Sequence, residues 1–411
     1  MTIASKLIEL RDAVESIRAA IVTKGAVLPT GSPLSAYPAA VGSISGGGEG
    51  WVRPSHWPAL PEADNLFSGL VRVPKPPNAT AAGFVVTVTL LNSVTVQIDW
   101  GDGAISTIGC GSATHTYNWN TMTGPEDADG FKYAVVSTTS SSPQQPGYSF
   151  AASGIHGGWV DLWLPHNTAS AHALYVGGSR LGVHRIRYSG KPTKTQESMF
   201  RDMVMLREVD LRGAQPISLA HWFNGCVLLE KITGLDTSLA TLFNLAFYNC
   251  NALRDFSWIS FDQATDMSSA FVNCYELKNI TINSPTITSL SATFNGCLSL
   301  RRAEVIAPHA TSAANCFIAC QLLTDVTLHT SATAARTNTY SKANMVSWIN
   351  DLSGLSAVVS VASCNLNDAA LNRIFTDLGT VTSGVITISY TPGAATCNRS
   401  IATSKGWTVS G

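Results

Sequence analysis

Charged residues are scarce in this chain. Asp, Glu, Lys and Arg make up 13% of its 411 residues, and the formal net charge is −1, whereas the usual charged share is about 25%. Nucleic-acid binding is not expected, because nothing here would neutralise a phosphate backbone. Disorder is not expected either, since the hydrophobic share of 45% is enough to build a core.

Long hydrophobic runs and abundant cysteines are also missing. No stretch reaches the roughly 18 apolar residues that indicate a membrane span, so membrane insertion is not expected. The first twenty residues carry several charges, unlike the apolar region of a signal peptide. Nine cysteines are an odd and small number for a disulfide-stapled secreted fold. A β-rich structural protein with a polar, uncharged surface fits these absences.

Residues 1–45 predict a helical segment for self-association. Its apolar residues recur at alternating spacings of four and three, which is a heptad pattern, and isoleucine at the d positions favours three or more strands. We therefore expect a homotrimer whose anchor is joined by a glycine-rich linker at 46–50. The alternative is a helix docked on its own chain, because three heptads are short. The predicted oligomerisation residues are Ile3, Leu7, Leu10, Val14, Ile17 and Ile21.

Residues 51–138 predict a small β-domain. The β-branched runs Phe84–Leu90 and Val94–Trp100 are joined by Asn92 and Ser93, which predicts a tight hairpin. A W-G-D-G turn and an H-x-Y sequence follow; the motif comprises Asp99, Trp100, Gly101, Asp102, Gly103, His115 and Tyr117. This motif resembles the polycystic-kidney-disease (PKD) type of β-sandwich. The resemblance implies an immunoglobulin-like spacer or adhesion module, not an enzyme.

Several polar residues of this domain have both a chemical and a structural interpretation. Asp99 and Asp102 could ligate calcium, but aspartates at such turns more often cap backbone amides. His115 could be a catalytic base, yet no nucleophile motif accompanies it, which favours a structural role. The acidic loop 126–130 lacks the later glutamate of an EF-hand. We therefore predict neither a metal site nor a cofactor.

A repeat of 23 to 24 residues decides the fold of the second half. Five of six repeats place Cys three residues after Phe, all six place Leu six after it, and mostly apolar residues stand nine and eleven after it. The last two positions alternate with period two, which predicts a short strand, and cap-forming residues five before the Phe predict a short helical turn. The predicted repeat core is Phe200, Phe223, Cys226, Phe247, Cys250, Phe271, Cys274, Phe294, Cys297, Phe317 and Cys320.

This pattern predicts a parallel solenoid over residues 191–335, because each unit needs neighbours to bury its face. The F-x-[GN]-C-x2-L sequence resembles BspA-like leucine-rich repeats, which implies a bacterial surface or phage protein. The cysteines recur once per repeat, whereas a zinc site needs clustered ligands. Met203 replaces cysteine in the same position, so the column predicts buried free thiols.

Residues 139–190 predict a connection and an N-terminal cap for the solenoid. Their aromatic residues could stack on sugars, and we take Tyr148, His156, Trp159 and Trp163 as candidate receptor contacts. The favoured alternative is that Trp159 and Trp163 cover the first repeat, because exposed solenoid ends need capping.

Residues 336–411 predict a repeat-like α/β cap. Helices are expected over Ala343–Leu352 and from an Asn367 cap to Leu378, and strands over Val358–Val361, Val385–Ser389 and Trp407–Val409. The last fifty residues are similar to the C-termini of phage tail-fibre proteins, and Ile17–Ile21, residues 33–44 and Trp51–Pro54 resemble phage structural proteins.

Together these features predict a multidomain, β-rich chain: coiled coil, PKD-like sandwich, leucine-rich-repeat solenoid and α/β cap. The predicted function is that of a phage virion structural protein, a tail fibre or baseplate appendage made in the host cytoplasm. Its expected partners are itself, other tail or baseplate proteins, and a host receptor such as a glycan. No hydrolase or nucleotide-binding motif occurs, so we expect no enzyme. The alternatives are a bacterial surface adhesin and a fibre that degrades glycans through a carboxylate pair.

Overall fold

A computed structural model describes most of the chain after residue 50. The described residues are 51–62, 67–76, 83–90, 94–140, 148–152, 158–164, 182–188, 198–331, 334, 339–340, 348–350 and 358–411. Contacts divide the chain into two units, Met1–Val52 and Arg53–Gly411. The heptad residues and the glycine-rich linker lie outside the described residues, so the coiled coil stays a prediction. No described helix is long and apolar enough to cross a membrane.

The second unit begins with two packed sheets. Their strands are β1 Ser68–Pro74, β2 Phe84–Leu90, β3 Val96–Asp99, β4 Ile105–Ile108, β5 Gly111–Tyr117, β6 Phe131–Thr139, β7 Tyr148–Ala152 and β8 Gly158–Leu164. One sheet has the order β5-β2-β7, and the other contains β8-β1-β6-β3-β4. Alternate residues of β2, β3 and β6 are buried, including Val86, Val88 and Val136, as expected when two sheets share a core.

The predicted hairpin between β2 and β3 is wrong. β2 pairs with β5 and β7, whereas β3 pairs with β4 and β6, so the two runs lie in opposite sheets. The tight turn lies instead between β3 and β4. There, Gly101 and Gly103 have φ values of +79° and +94°, which glycine adopts at low cost.

The sandwich and the repeats share one sheet. β8 pairs antiparallel with β1 and parallel with β9 (Arg185–Tyr188). β10 (Glu208–Ala214) pairs in parallel with β9 on one side and with β11 (Lys231–Leu235) on the other. The predicted domain boundary at residue 138 is therefore wrong, because β7 and β8 complete the sandwich. Residues 139–190 supply strands to both structures as well as connecting them.

The repeats form a β-rich solenoid of about nine turns. A second parallel sheet contains β12 Asn279–Asn283, β13 Arg302–Ala307, β14 Asp325–Thr330 and β15 Trp348–Asn350. The strand expected in the third repeat does not form. Instead, Asp255 accepts a hydrogen bond of 2.9 Å from the amide of Ser257, and Trp258 Nε1 donates to the Asp255 carbonyl at 3.0 Å. This turn separates the two parallel sheets.

The described residues before each phenylalanine are not helical, contrary to prediction. A residue two positions before each Phe has φ between +55° and +65°, which interrupts a right-handed helix. Every second backbone amide of this segment donates instead to a carbonyl of the next repeat. Phe223 N, for example, donates to Ala246 O at 2.9 Å. Ser218, Leu242, Asp266, Ser289 and Ser312 form a line of single parallel bridges.

The C-terminal residues form two larger turns. β16 Val359–Ser360, β17 Gly384–Thr387 and β18 Trp407–Ser410 pair in parallel. The helix capped by Asn367 is confirmed: α1 spans Asp368–Asp377, and Asn367 Oδ1 accepts from Ala370 N at 2.8 Å. A 3-10 helix at Pro392–Ala395 and α2 at Ser400–Thr403 follow. The helix expected over Ala343–Leu352 is wrong at Trp348–Asn350, where strand pairing with β14 prevails.

Candidate functional site

A stack of aromatic rings runs through the repeats. The six phenylalanines are fully buried, and neighbouring rings lie 5.3–5.5 Å apart with planes within 11° of parallel. The stack continues to Tyr340, 5.9 Å beyond Phe317. Since packed interiors tolerate little rearrangement, this column holds the outward residues of successive repeats at a regular spacing.

The cysteine column lies beside this stack. The five thiols are fully buried and unbridged, and each Sγ donates to the carbonyl of the phenylalanine one repeat earlier, at 3.0–3.2 Å. Burial raises the pKa of Cys250, Cys274, Cys297 and Cys320. These thiols are packing groups, and no described His, Cys, Asp or Glu cluster could hold a metal ion.

A second column consists of left-handed residues two positions after each Phe. Their φ values lie between +59° and +80°, and the residues are Asp202, Gly225, Asn249, Asn273, Gly296 and Ala319. Asn273 Nδ2 donates to Asn249 Oδ1 at 2.8 Å. A Cβ on Gly296 would lie 2.3 Å from Asn273 Oδ1, so the glycine leaves room for this amide.

The outward side of the strands is charged. We call the residues seven, eight and ten positions after each Phe the strand face. Its charges pair between repeats, with Arg207 Nη1 2.9 Å from Glu230 Oε1 and Lys231 Nζ 3.2 Å from Glu208 Oε1. The charged members of the strand face are Arg207, Glu208, Asp210, Glu230, Lys231, Arg254, Asp255, Lys278, Arg301, Arg302, Glu304 and Asp325.

The turns that follow each Phe are almost free of charge at four positions, most of which are half-buried. We call the residues one, two, four and five positions after each Phe the turn face. From Phe223 to Phe317 they are Asn224, Gly225, Val227, Leu228, Tyr248, Asn249, Asn251, Ala252, Val272, Asn273, Tyr275, Glu276, Asn295, Gly296, Leu298, Ser299, Ile318, Ala319, Gln321 and Leu322. Glu276 is the single Asp, Glu, Lys or Arg among them. The first repeat differs, because it carries Arg201 and Asp202.

The turn face carries two tyrosines. Tyr248 and Tyr275 are half-buried and come from adjacent repeats. Burial raises the pKa of Tyr275, and Cys297 and the neighbouring Tyr248 raise it further. Sequence reasoning missed this pair because the two tyrosines occupy different positions of their repeats, one after Phe247 and one after Cys274.

The W-G-D-G and H-x-Y residues form a compact structural cluster. Asp99 and Asp102 accept from the amides of Gly101 and Ala104 at 2.9 and 3.1 Å, so both aspartates cap the turn. His115 Nε2 lies 2.8 Å from Asp102 Oδ2, and its ring stacks 5.1 Å from Trp100. The buried Tyr117 hydroxyl donates to the Trp100 carbonyl at 2.7 Å. Each polar group has a structural partner here.

The candidate receptor contacts are wrong for three of the four residues. Tyr148, Trp159 and Trp163 are 6%, 0% and 3% exposed, because β7 and β8 lie inside the sandwich and the shared sheet. Their side chains are core residues and are not available to a receptor. His156 lies outside the described residues.

An open cleft of about 350 Å³ lies beside the acidic loop, lined by residues 124–129 with His56, Pro58 and Tyr133. Asp127 Oδ1 accepts from the amides of Asp129 and Phe131 at 2.9 Å, and Oδ2 accepts from the Tyr133 hydroxyl at 2.5 Å. Burial alone would raise the pKa of Asp127, but these hydrogen bonds and His56 lower it. The carboxylate therefore stays ionised and holds its loop.

Comparison with protein families identifies the repeats. Residues 182–268 and 267–357 match the model of the BspA type leucine rich repeat region in six copies. This part of the chain is therefore a BspA-type leucine-rich-repeat solenoid. A comparison with curated proteins finds no match.

Proposed function

We propose that this protein is an adhesin-type recognition protein whose turn face binds a partner at a cell surface. The separation of charge between the two faces carries this proposal. The strand face carries ion pairs between repeats, Arg207 with Glu230 and Lys231 with Glu208, whereas the turn face presents amides, hydroxyls and apolar groups from five repeats. Covering such a surface requires little ion desolvation, and Tyr, Ser, Gly and Asn are the residues that adaptable binding surfaces use. BspA-type repeats support the same role.

Two matched substitutions test which face binds. Asn295→Lys places a charge on the turn face, and Asn279→Lys makes the same change on the strand face, where Asn279 is exposed. Fluorescently labelled protein is incubated with a panel of bacterial cells, and bound protein is measured by flow cytometry. We expect Asn295→Lys to abolish binding and Asn279→Lys to leave it intact. Equal binding by the two variants would exclude the turn face.

The N-terminal heptad supports multivalent binding. Three linked copies would raise avidity without any new contact. Sedimentation of the intact chain should give the mass of a trimer, and a Leu10→Asp, Val14→Asp double variant should give that of a monomer. A Lys6→Asp variant outside the apolar positions is the control. A monomeric wild-type chain would contradict trimerisation.

A phage tail-fibre or baseplate role is a second candidate. The predicted heptad and the resemblance of both ends to phage virion proteins favour it, and the repeats suit either role. Mass spectrometry of purified phage particles separates the candidates. A virion protein is present in washed particles, whereas a bacterial adhesin is recovered from the cell envelope and is absent from particles.

We propose that neither role involves catalysis. A glycan-degrading site needs an acid of raised pKa beside a second carboxylate. In the cleft of the sandwich, Asp127 has a lowered pKa, and its two oxygens accept hydrogen bonds from backbone amides and from the Tyr133 hydroxyl. Incubation with host capsule should release no oligosaccharides; release that is lost on Asp127→Asn would contradict this.

A further inference from the structure

We propose that the turn face binds an uncharged oligosaccharide at a site centred on Tyr248 and Tyr275. This inference rests on the proposed function and names the chemical class of its ligand. The site lies in the middle of the solenoid, across the repeats of Phe247 and Phe271, whose rings are 5.4 Å apart.

The tyrosine rings supply the apolar part of the site. Both side chains are half-buried, so each is held by its repeat while part of it faces solvent. The face of an aromatic ring carries negative charge, and the C–H groups on one face of a pyranose ring carry partial positive charge. Tyrosine also offers a large contact area at a low cost in conformational entropy. Two such rings from adjacent repeats would contact successive sugar units.

The amides supply the polar part. Asn249 and Asn273 are joined by a 2.8 Å hydrogen bond between their side chains, which holds both in place, and Asn251 and Asn295 flank them. An amide has both donor and acceptor groups, as a sugar hydroxyl does. The amides belong to repeats whose Phe rings are stacked 5.4–5.5 Å apart, so the solenoid core holds them at fixed distances from one another.

The lack of Arg and Lys on the turn face after Phe223 indicates which kind of glycan binds there. Recognition of carboxylate or sulfate groups usually uses Arg or Lys, and the turn face has neither from Phe223 to Phe317. Glu276, beside Tyr275, would repel an anion. An acidic capsule or a sialylated chain therefore fits poorly, and a neutral chain of hexoses or N-acetylhexosamines fits well.

The test uses the intact chain on an array of neutral and acidic oligosaccharides, followed by calorimetry with the best neutral ligand. We expect binding to neutral glycans only. Tyr248→Ala and Tyr275→Ala should each weaken binding about tenfold or more, and Tyr248→Phe, which keeps the ring, should change it little. Tyr390→Ala is the matched control, because Tyr390 is 89% exposed in the C-terminal turns. Thermal unfolding of each variant verifies that it is folded.

Binding to acidic glycans alone would overturn the inference, as would equal affinity of the Tyr248→Ala, Tyr275→Ala and wild-type proteins, or no glycan binding at all. If the array shows no glycan binding while Asn295→Lys still abolishes cell binding, the ligand is not a glycan and the turn face remains the binding surface. If cells are bound equally by the Asn295→Lys and Asn279→Lys variants, the proposed function fails as well.

Discussion

The buried carboxylate of Asp161 accepts a hydrogen bond of 2.7 Å from Nε of Arg53. Its other oxygen accepts from Arg185 Nε at 3.2 Å and lies 3.8 Å from Arg187 Nη2. Asp161 lies on β8, where the sandwich sheet meets the first parallel strand of the repeats. Three guanidinium groups from both sides of this junction therefore share one carboxylate.

Asp161→Asn should strongly destabilise the second unit. It leaves Arg53 and Arg185 without their counter-charge, while Arg187 keeps its pair with Glu62, and breaking a buried ion pair costs about 3–5 kcal/mol. Thermal unfolding followed by circular dichroism measures the loss. Asp325→Asn is the control, since its 3.7 Å pair with Arg302 is exposed and such pairs contribute about 0–1 kcal/mol. Equal melting temperatures for the two variants would show that the junction does not depend on Asp161.

The repeats were predictable because the same residue types recur at a fixed spacing. Phenylalanine, cysteine and leucine keep their positions in the repeats, so one pattern is seen six times. The left-handed position two residues before each Phe could not be recognised from the sequence. It is occupied by Ser198, His221, Leu245, Ser269, Ala292 and Asn315, and none of these is the glycine that usually marks such a conformation.

The shared sheet was not predictable, because it depends on pairing between distant strands. Leu70 pairs with Asp161, and Asp161 pairs with Arg185, and no local pattern encodes either choice. A signal for burial did exist in β8. Every residue from Gly158 to Leu164 is buried, and a near-continuous apolar run is typical of a strand covered on both faces. That run argues against surface roles for Trp159 and Trp163.

Gly296→Ala should destabilise the repeats more than Gly213→Ala does. Both glycines have positive φ, +75° and +77°, so both substitutions carry a backbone cost of about 1–2 kcal/mol. A Cβ at 296 also meets Asn273 Oδ1 at 2.3 Å, whereas nothing lies within 4 Å at 213. The displaced Asn273 would lose its bond to Asn249, worth about 1 kcal/mol. Chemical denaturation measures the free energy of unfolding of the two variants. An equal loss in Gly296→Ala and Gly213→Ala would contradict the close contact between residue 296 and Asn273.

His184 should make the protein less stable in acid. Burial, with Arg72 and Arg207 nearby, lowers the pKa of His184 to about 4, below its unfolded value of about 6.5. The unfolded chain therefore binds the proton more tightly. The stability from neutral His184 is complete above the unfolded pKa and is lost as the pH falls from 6.5 towards 4. Melting temperatures across this window should depend less on pH in His184→Gln than in wild type. His309→Gln is the control, because His309 is exposed. If the melting temperatures of His309→Gln and His184→Gln depend equally on pH, another group is responsible for the acid sensitivity.

Thiol reactivity should report the integrity of the cysteine column. Cys110 is exposed, whereas the five column cysteines are fully buried. Burial raises the thiol pKa of four of these five, Cys250, Cys274, Cys297 and Cys320. Because the thiolate is the reactive form, a raised pKa makes a thiol less reactive. A maleimide should therefore label native protein rapidly at Cys110, and Cys110→Ser should remove that rapid phase. All nine cysteines should react in denaturant.

Phe271→Ala, which opens the aromatic stack beside Cys274 and Cys297, should expose column thiols at a temperature where wild type protects them. Rapid labelling of the column in the native wild-type protein would mean that the repeats do not pack around these thiols.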